Sequence, residues 1–156
     1  MKMNDIQNHY EAFSEWLRTL KELKDDLWMV PISEGKWPVR AVIAHLLYWD
    51  RYSINERFPF FKEGAKLDKF PDFQKVNDQA AEYSKNVSKE KLLDELLSIR
   101  QQFVSMINQM NEDELEVAFH IGDHKLTIKD YFKDFIEHDL HHKEQVNRVI
   151  GQISSN

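Results

Sequence analysis

Apolar side chains recur every three or four residues along four long stretches of this chain. An α-helix turns 100° per residue, so that spacing gathers them into one stripe, which a lone helix cannot bury. The first stretch, from about Asp5 to Leu27, carries Ile6, Tyr10, Phe13, Leu17, Leu20 and Leu27, with Asn4 or Asp5 able to cap its start. The second runs from about Pro38, placed where a missing N–H costs nothing, to Arg57, and Pro59 limits it. The third, Lys89 to Met110, follows Ser88 as N-cap and turns Leu93, Leu96, Phe103, Ile107 and Met110 to one side. The fourth runs from Ile128 to about Ile150, opened by a Thr127–Asp130 capping box and closed by Gly151 as a C-terminal cap. With only 4 glycines and 4 prolines in 156 residues, these stretches predict an all-α four-helix bundle. No linker or low-complexity tract interrupts it, so a single domain over residues 1–156 is expected.

Two segments lie outside the stripes. Residues 58–87, between the second and third main helices, hold Phe58, Phe60, Phe61, Phe70 and Phe73 around Pro59, Gly64 and Pro71. That is too long for a plain loop in a compact domain. It predicts a structured cover over one end of the bundle or a pocket wall, with a short helix near Val76–Tyr83. In ELEVAFHIGDHKLTI, Val117, Phe119 and Ile121 alternate ahead of Gly122, the pattern of a short hairpin-like excursion.

Composition removes several function classes. Without cysteine there is no disulfide, thiolate metal site, iron–sulfur cluster or cysteine nucleophile. A net charge of −6 opposes both a sequence-independent nucleic-acid binder and a polybasic membrane-surface protein. No apolar run approaches a membrane span, and MKMNDIQNHYEAF has no apolar signal-peptide core. The expectation is therefore no nucleic-acid partner, no membrane partner and a cytoplasmic setting.

The chemistry-bearing residues are histidines. His138 and His142 are four apart on the fourth helix, one above the other, on a stripe with Tyr131, Phe135, Gln145 and Val149. His45 shares a stripe of the second helix with Val42, Trp49 and Tyr52. If both stripes face inward, three imidazoles converge between two helices and can hold one ion about 2.0–2.1 Å from each nitrogen. Isolated core histidines are the plainer reading of each residue alone, and a bis-histidine haem is a rival for the set. His141 falls off the stripe and reads as a neighbour or proton-handling group. His9, His120 and His124 carry no such geometry. The aromatics Trp16, Trp28, Trp37, Tyr48, Trp49 and Tyr52 read most simply as core.

Two segments carry a resemblance. GKWPVRAVIAHLLYWD, from Gly35 to Asp50, and HDLHHKEQV, from His138 to Val146, resemble in order and spacing the two motifs of the DinB/YfiT-like superfamily. Lys143-Glu144 stands where that superfamily often has Arg-Gly, and Pro38 where it often has Ser or Thr. The resemblance implies a DinB-like four-helix bundle with one divalent transition metal held by His45, His138 and His142, zinc or nickel first and iron next. It implies a homodimer as well. It further implies a thiol S-transferase that joins a low-molecular-weight thiol, such as bacillithiol, to a small electrophile; beside the ligands, His141 is the catalytic candidate by its helical phase. A metal-dependent hydrolase and a non-enzymatic small-molecule or metal-binding stress protein are the alternatives.

Overall fold

A computed structural model describes residues 1–154, with side chains described as far as Gly151. The first helix, α1 (Met3–Thr19), starts two residues earlier than expected, because the Asp5 carboxylate accepts the Lys2 N–H at 2.8 Å. It also ends earlier. The chain tightens into a 3₁₀ turn at Leu20–Glu22 and resumes as the short α2 (Asp25–Trp28), so one stripe becomes three pieces. The stripe persists across the break because Leu20 and Trp28 still reach the core. Pro38 caps α3 (Val39–Glu56) from one position outside the helix. Within residues 58–87 lie a 3₁₀ turn at Phe58–Phe60, the two-residue β1 (Lys66–Leu67) and α4 (Phe73–Lys85), which Asp72 caps. Next comes α5 (Lys89–Gln109), whose first turn is capped by the Ser88 hydroxyl accepting from the Lys91 N–H at 3.1 Å.

The expected excursion is a hairpin, β2 (Ala118–Ile121) and β3 (His124–Thr127), turning at Gly122 with φ of 59°. It gains a third strand that the sequence did not suggest: β1 pairs in parallel with β2, Lys66 opposite His120. This stitches the long connection to the hairpin. The last helix, α6 (Ile128–Ser154), opens on the capping box, with Thr127 N–H to Asp130 Oδ2 at 3.0 Å and Asp130 N–H to Thr127 Oγ1 at 3.1 Å. Gly151 does not end it. Its φ is not positive, as a left-handed C-terminal cap would need, and the helix runs on to Ser154.

The bundle of α1, α3, α5 and α6 buries two apolar clusters. One gathers Leu17, Ile43, Leu47, Leu93 and Val146; the other gathers Ile6, Phe58, Phe103, Phe119 and Phe132. Arg100 lies between them at 0% exposure, ringed by Tyr10, Phe13, Phe103 and Phe135. Its guanidinium takes Asp50 through Nε and Nη2 at 2.7 and 3.3 Å, and Asp139 through Nη1 and Nη2 at 2.5 and 2.8 Å. His9 Nε2 donates to Asp139 at 2.8 Å. One side chain from each main helix thus meets in a buried ionic layer. Burial pushes the Asp50 carboxyl up to about 7 against the pull of Arg100. At Asp139, by contrast, the attraction and hydrogen bonds of Arg100 outweigh burial and hold the carboxyl below its usual range.

Removing one partner of a buried ion pair strands the other, at a cost of roughly 3–5 kcal/mol, whereas exposed pairs contribute about 0–1. Arg100→Met is therefore expected to lower urea stability within the larger range, and loss of the exposed Arg18–Glu15 pair by Arg18→Ala within the smaller. Adding Asp50→Asn and Asp139→Asn to Arg100→Met should recover part of the loss, because no buried charge is then left alone.

Candidate metal centre

The two stripes do meet. His45 on α3 and His138 and His142 on α6 place one ring nitrogen each within 4.8 Å of one another. His45 Nε2 lies 3.3 Å from His138 Nε2, and His142 Nε2 lies 3.1 Å from the same atom. His45 and His142 are nearly buried, at 7% and 9% exposure, while His138 opens to the surface.

The hydrogen bonds fix which nitrogens carry protons. Trp49 Nε1 and His45 Nδ1 both point at Asn77 Oδ1, at 2.9 and 2.8 Å. An indole N–H can only donate, so the shared atom is an acceptor and His45 must donate from Nδ1. The lone pair of its Nε2 then faces His138. On the other side His142 Nδ1 meets Gln145 Oε1 at 2.8 Å, which turns its Nε2 lone pair to the same point. A single N–H on His138 serves only one of these lone pairs well. Two further effects keep the rings neutral. Burial lowers the His45 imidazole to about 3, helped by repulsion from His142, and burial lowers His142 to about 4, helped by His138. Burial lowers His138 as well.

Neutral imidazoles with converging lone pairs, and with their other nitrogens tied to amide oxygens, are the donor set that a divalent transition ion requires. The separations of 3.1 and 3.3 Å are those of nitrogens that share one ion at about 2.0–2.1 Å each. A haem cannot enter between rings this close, so that rival is set aside.

Beside the histidines opens a cavity of about 500 Å³, lined mainly by apolar side chains. Trp49, Phe70, Phe73, Tyr131 and Phe135 wall it, and His45 and His138 face it. The long connection therefore does contribute a pocket wall, and its phenylalanines divide between two tasks. Phe58 and Phe61 pack into the second core cluster, while Phe70 and Phe73 stack at the cavity mouth. Phe60 is exposed.

Several residues here escaped sequence reading. Asn77 lies on α4, in the segment expected to be a cover or pocket wall, with no role at the histidines foreseen for it. Asp134, one helical turn before His138, faces the cavity, and burial raises its carboxyl. His124, which has no ligand spacing in the sequence, lines the same cavity from the hairpin. His141 is exposed, with its ring 5.3 Å from that of His142, and is absent from the cavity wall.

The sequence matches the family model of the DinB superfamily over residues 8–146. The chain belongs to the DinB superfamily. No curated protein matches it. Among solved structures it is similar to YfiT from Bacillus subtilis, described as a probable metal-dependent hydrolase with an unusual four-helix bundle topology. The TM-score is 0.81 and the identity 17%, over 97% of this chain and 87% of that one. It is similar to the colibactin self-resistance protein ClbS in complex with a dsDNA, with a TM-score of 0.71 and 16% identity over 95% and 94% of the two chains. A protein from Streptococcus pneumoniae matches with a TM-score of 0.70 and 12% identity, over 95% and 90%.

The ClbS complex corrects one expectation. A protein of this fold binds duplex DNA, so the expectation of no nucleic-acid partner is withdrawn. Net charge does not decide the matter, because −6 is a sum over the whole chain, whereas phosphate contacts depend on where charge lies. Among the described residues no helix is long and apolar enough to cross a membrane.

The lowered imidazoles set a pH dependence. Unfolded histidines take up protons near pH 6.5, but folded His45 and His142 do so only near 3 and 4. The unfolded state then binds more protons, so stability falls with falling pH. In chelator, the contribution of these histidines is expected to be fully present above pH 6.5 and to decline as pH drops toward 4. The decline should be shallower in His142→Gln. Urea titrations across that range measure both slopes.

Proposed function

We propose that this protein is a divalent-metal-dependent enzyme that hydrolyses a small, largely apolar molecule bound in the cavity beside His45 and His138. The observation that carries the reading is the convergence of three neutral imidazoles, two of them aimed by Asn77 and Gln145. The likeness to YfiT supports the same direction. In this reading His45, His138 and His142 are the ligands, and three protein ligands leave positions for water or substrate. Bound there, a divalent ion lowers the pKa of a coordinated water or thiol and polarises an oxygen.

The remaining work falls to the chain's own side chains. Asn77 and Gln145 hold the imidazoles in one tautomer and orientation. Trp49, Phe70 and Phe73 bind the apolar part of the substrate and exclude water. Asp134, on the wall one turn from His138, is suited to hold a proton, because burial raises its carboxyl. His141, exposed and outside the wall, touches no substrate in this reading. Zinc, nickel and iron all suit imidazole, and availability often selects among them.

A second reading, S-transfer from a low-molecular-weight thiol such as bacillithiol to a small electrophile, draws on the cavity. About 500 Å³ leaves room for a thiol beside a small electrophile, and with no cysteine in the chain the thiol must come from outside. A sequestering protein would instead bind its ligand stoichiometrically without turnover.

Metal analysis of the purified protein is expected to give one ion per chain, lost in His45→Ala, His138→Ala and His142→Ala while helical circular dichroism persists. His141→Ala should keep the metal. Asn77→Leu should weaken it about 10–100-fold in competition with a chromogenic chelator. Activated esters should turn over without thiol and stop turning over in chelator. Consumption of monochlorobimane only with thiol and metal present would select transfer over hydrolysis. Full metal occupancy in His142→Ala would overturn the ligand set.

A further inference from the structure

Arg57 ends the face of α3 that carries His45, Trp49 and Ser53 at four-residue steps. It is 2% exposed, yet its Nε and Nη2 have no hydrogen-bond partner, and no carboxylate among the described residues pairs with it. The guanidinium also hydrogen-bonds the Tyr52 hydroxyl, on which Glu56 and Asp68 act without either forming an ion pair with Arg57; Nε and Nη2 stay without a partner. The guanidinium reaches back over the Tyr52 ring at 5.0 Å and lies against the Phe70 ring at 4.7 Å. Those ring faces offset part of the cost of burying a cation without a counter-ion, but they satisfy none of its donors.

The bare donors are a matched pair. Nε–H and Nη2–H leave one edge of the guanidinium side by side, the geometry that holds a carboxylate through two parallel bonds. Arg100 uses the same edge in this protein, gripping Asp50 through Nε and Nη2. Arg57 presents that edge with no protein acceptor. Arg57 lies behind the cavity wall rather than on it: its neighbours Ser53, Phe70 and Tyr131 line the cavity, and the charge of Arg57 acts on the Tyr131 hydroxyl. Lys69 adds a second cation on the same wall.

We propose that Arg57 anchors the carboxylate of an elongated, largely apolar ligand whose other end lies at His45 and His138. The proposal rests on the reading of the cavity as the substrate site. Arg57 follows His45 by twelve residues, about 18 Å along the helix axis at 1.5 Å per residue, and the guanidinium's reach back over Tyr52 shortens the span. The ligand is therefore of aryl-alkanoate length, well beyond acetate. Binding requires Phe70 to turn off the guanidinium. Phe70 lies between β1 and α4, outside any helix or strand and outside both core clusters, so that turn gives up ring contacts with Trp49, Tyr52 and Phe73 but no core packing.

The test compares phenylhexanoate with phenylhexanamide by calorimetry at neutral pH, on protein as purified and again in chelator. The wild type is expected to prefer the acid by at least about tenfold in both conditions, since a charged bidentate contact is lost in the amide. Arg57→Met should bind the two equally, Arg57→Lys should keep part of the preference, and Lys69→Met should keep most of it. Because an unpaired buried charge is removed, the melting temperature of Arg57→Met should stay level or rise. Equal affinity for acid and amide in the wild type would overturn the proposal, as would an acid preference that survives in Arg57→Met. A preference that vanishes in chelator would assign the carboxylate to the metal and overturn it too. Acid preference in a protein that binds no metal would sink the metal reading and leave this one standing; metal binding without acid preference would do the reverse.

Discussion

The Arg100 layer is the constraint on which the rest of the bundle depends. A guanidinium at 0% exposure has no water to fall back on, so it must find its acceptors within the protein. It finds them on two other helices, Asp50 on α3 and Asp139 on α6, and His9 brings in the remaining one through Asp139. Apolar stripes alone tolerate small slides and rotations, because one leucine contact resembles the next. The ionic layer does not. A one-residue slip of α3 or α6 would swing a carboxylate away from the guanidinium and strand two buried charges.

That registration is also what places the histidines. Asp139 is the neighbour of His138, and Asp50 lies a little over one turn beyond His45. Holding both carboxylates on one arginine fixes the height and rotation of α3 against α6, and so brings three Nε2 atoms to one point. The imidazoles are then aimed by two amides of different origin. Gln145 comes from the same helix as His142, while Asn77 arrives on α4. The long connection is thus part of the site, setting a tautomer at His45 and building the aromatic wall through Phe70 and Phe73.

The same side-on grip of a carboxylate appears twice in different states. At Arg100 it is closed by the protein and cements the core. At Arg57, behind Phe70 of the cavity wall, the same pair of donors is buried and unused by the protein. The contrast separates an arginine kept for architecture from one whose cost the fold alone does not explain.

Much of this was legible in the chain itself. Helical periodicity carries the four stripes, because burial of an apolar face is a local, repeating demand that shows at three- and four-residue spacing. The Thr127–Asp130 capping box, the Gly122 turn and the helical phases of His45, His138 and His142 are local in the same sense. The ionic layer leaves a trace in the sequence too: Leu93, Arg100 and Ile107 fall seven apart, as do Phe132, Asp139 and Val146, each a charge in the middle of an apolar line. What no local pattern could carry were the pairings between distant segments. β1 against β2, Asn77 on His45, Asp134 and His124 in one cavity and the bare edge of Arg57 exist only once the helices pack. Each depends on which groups the finished core leaves without water, and that is decided by tertiary structure. Sequence determined which faces must turn inward; packing decided what they would meet there.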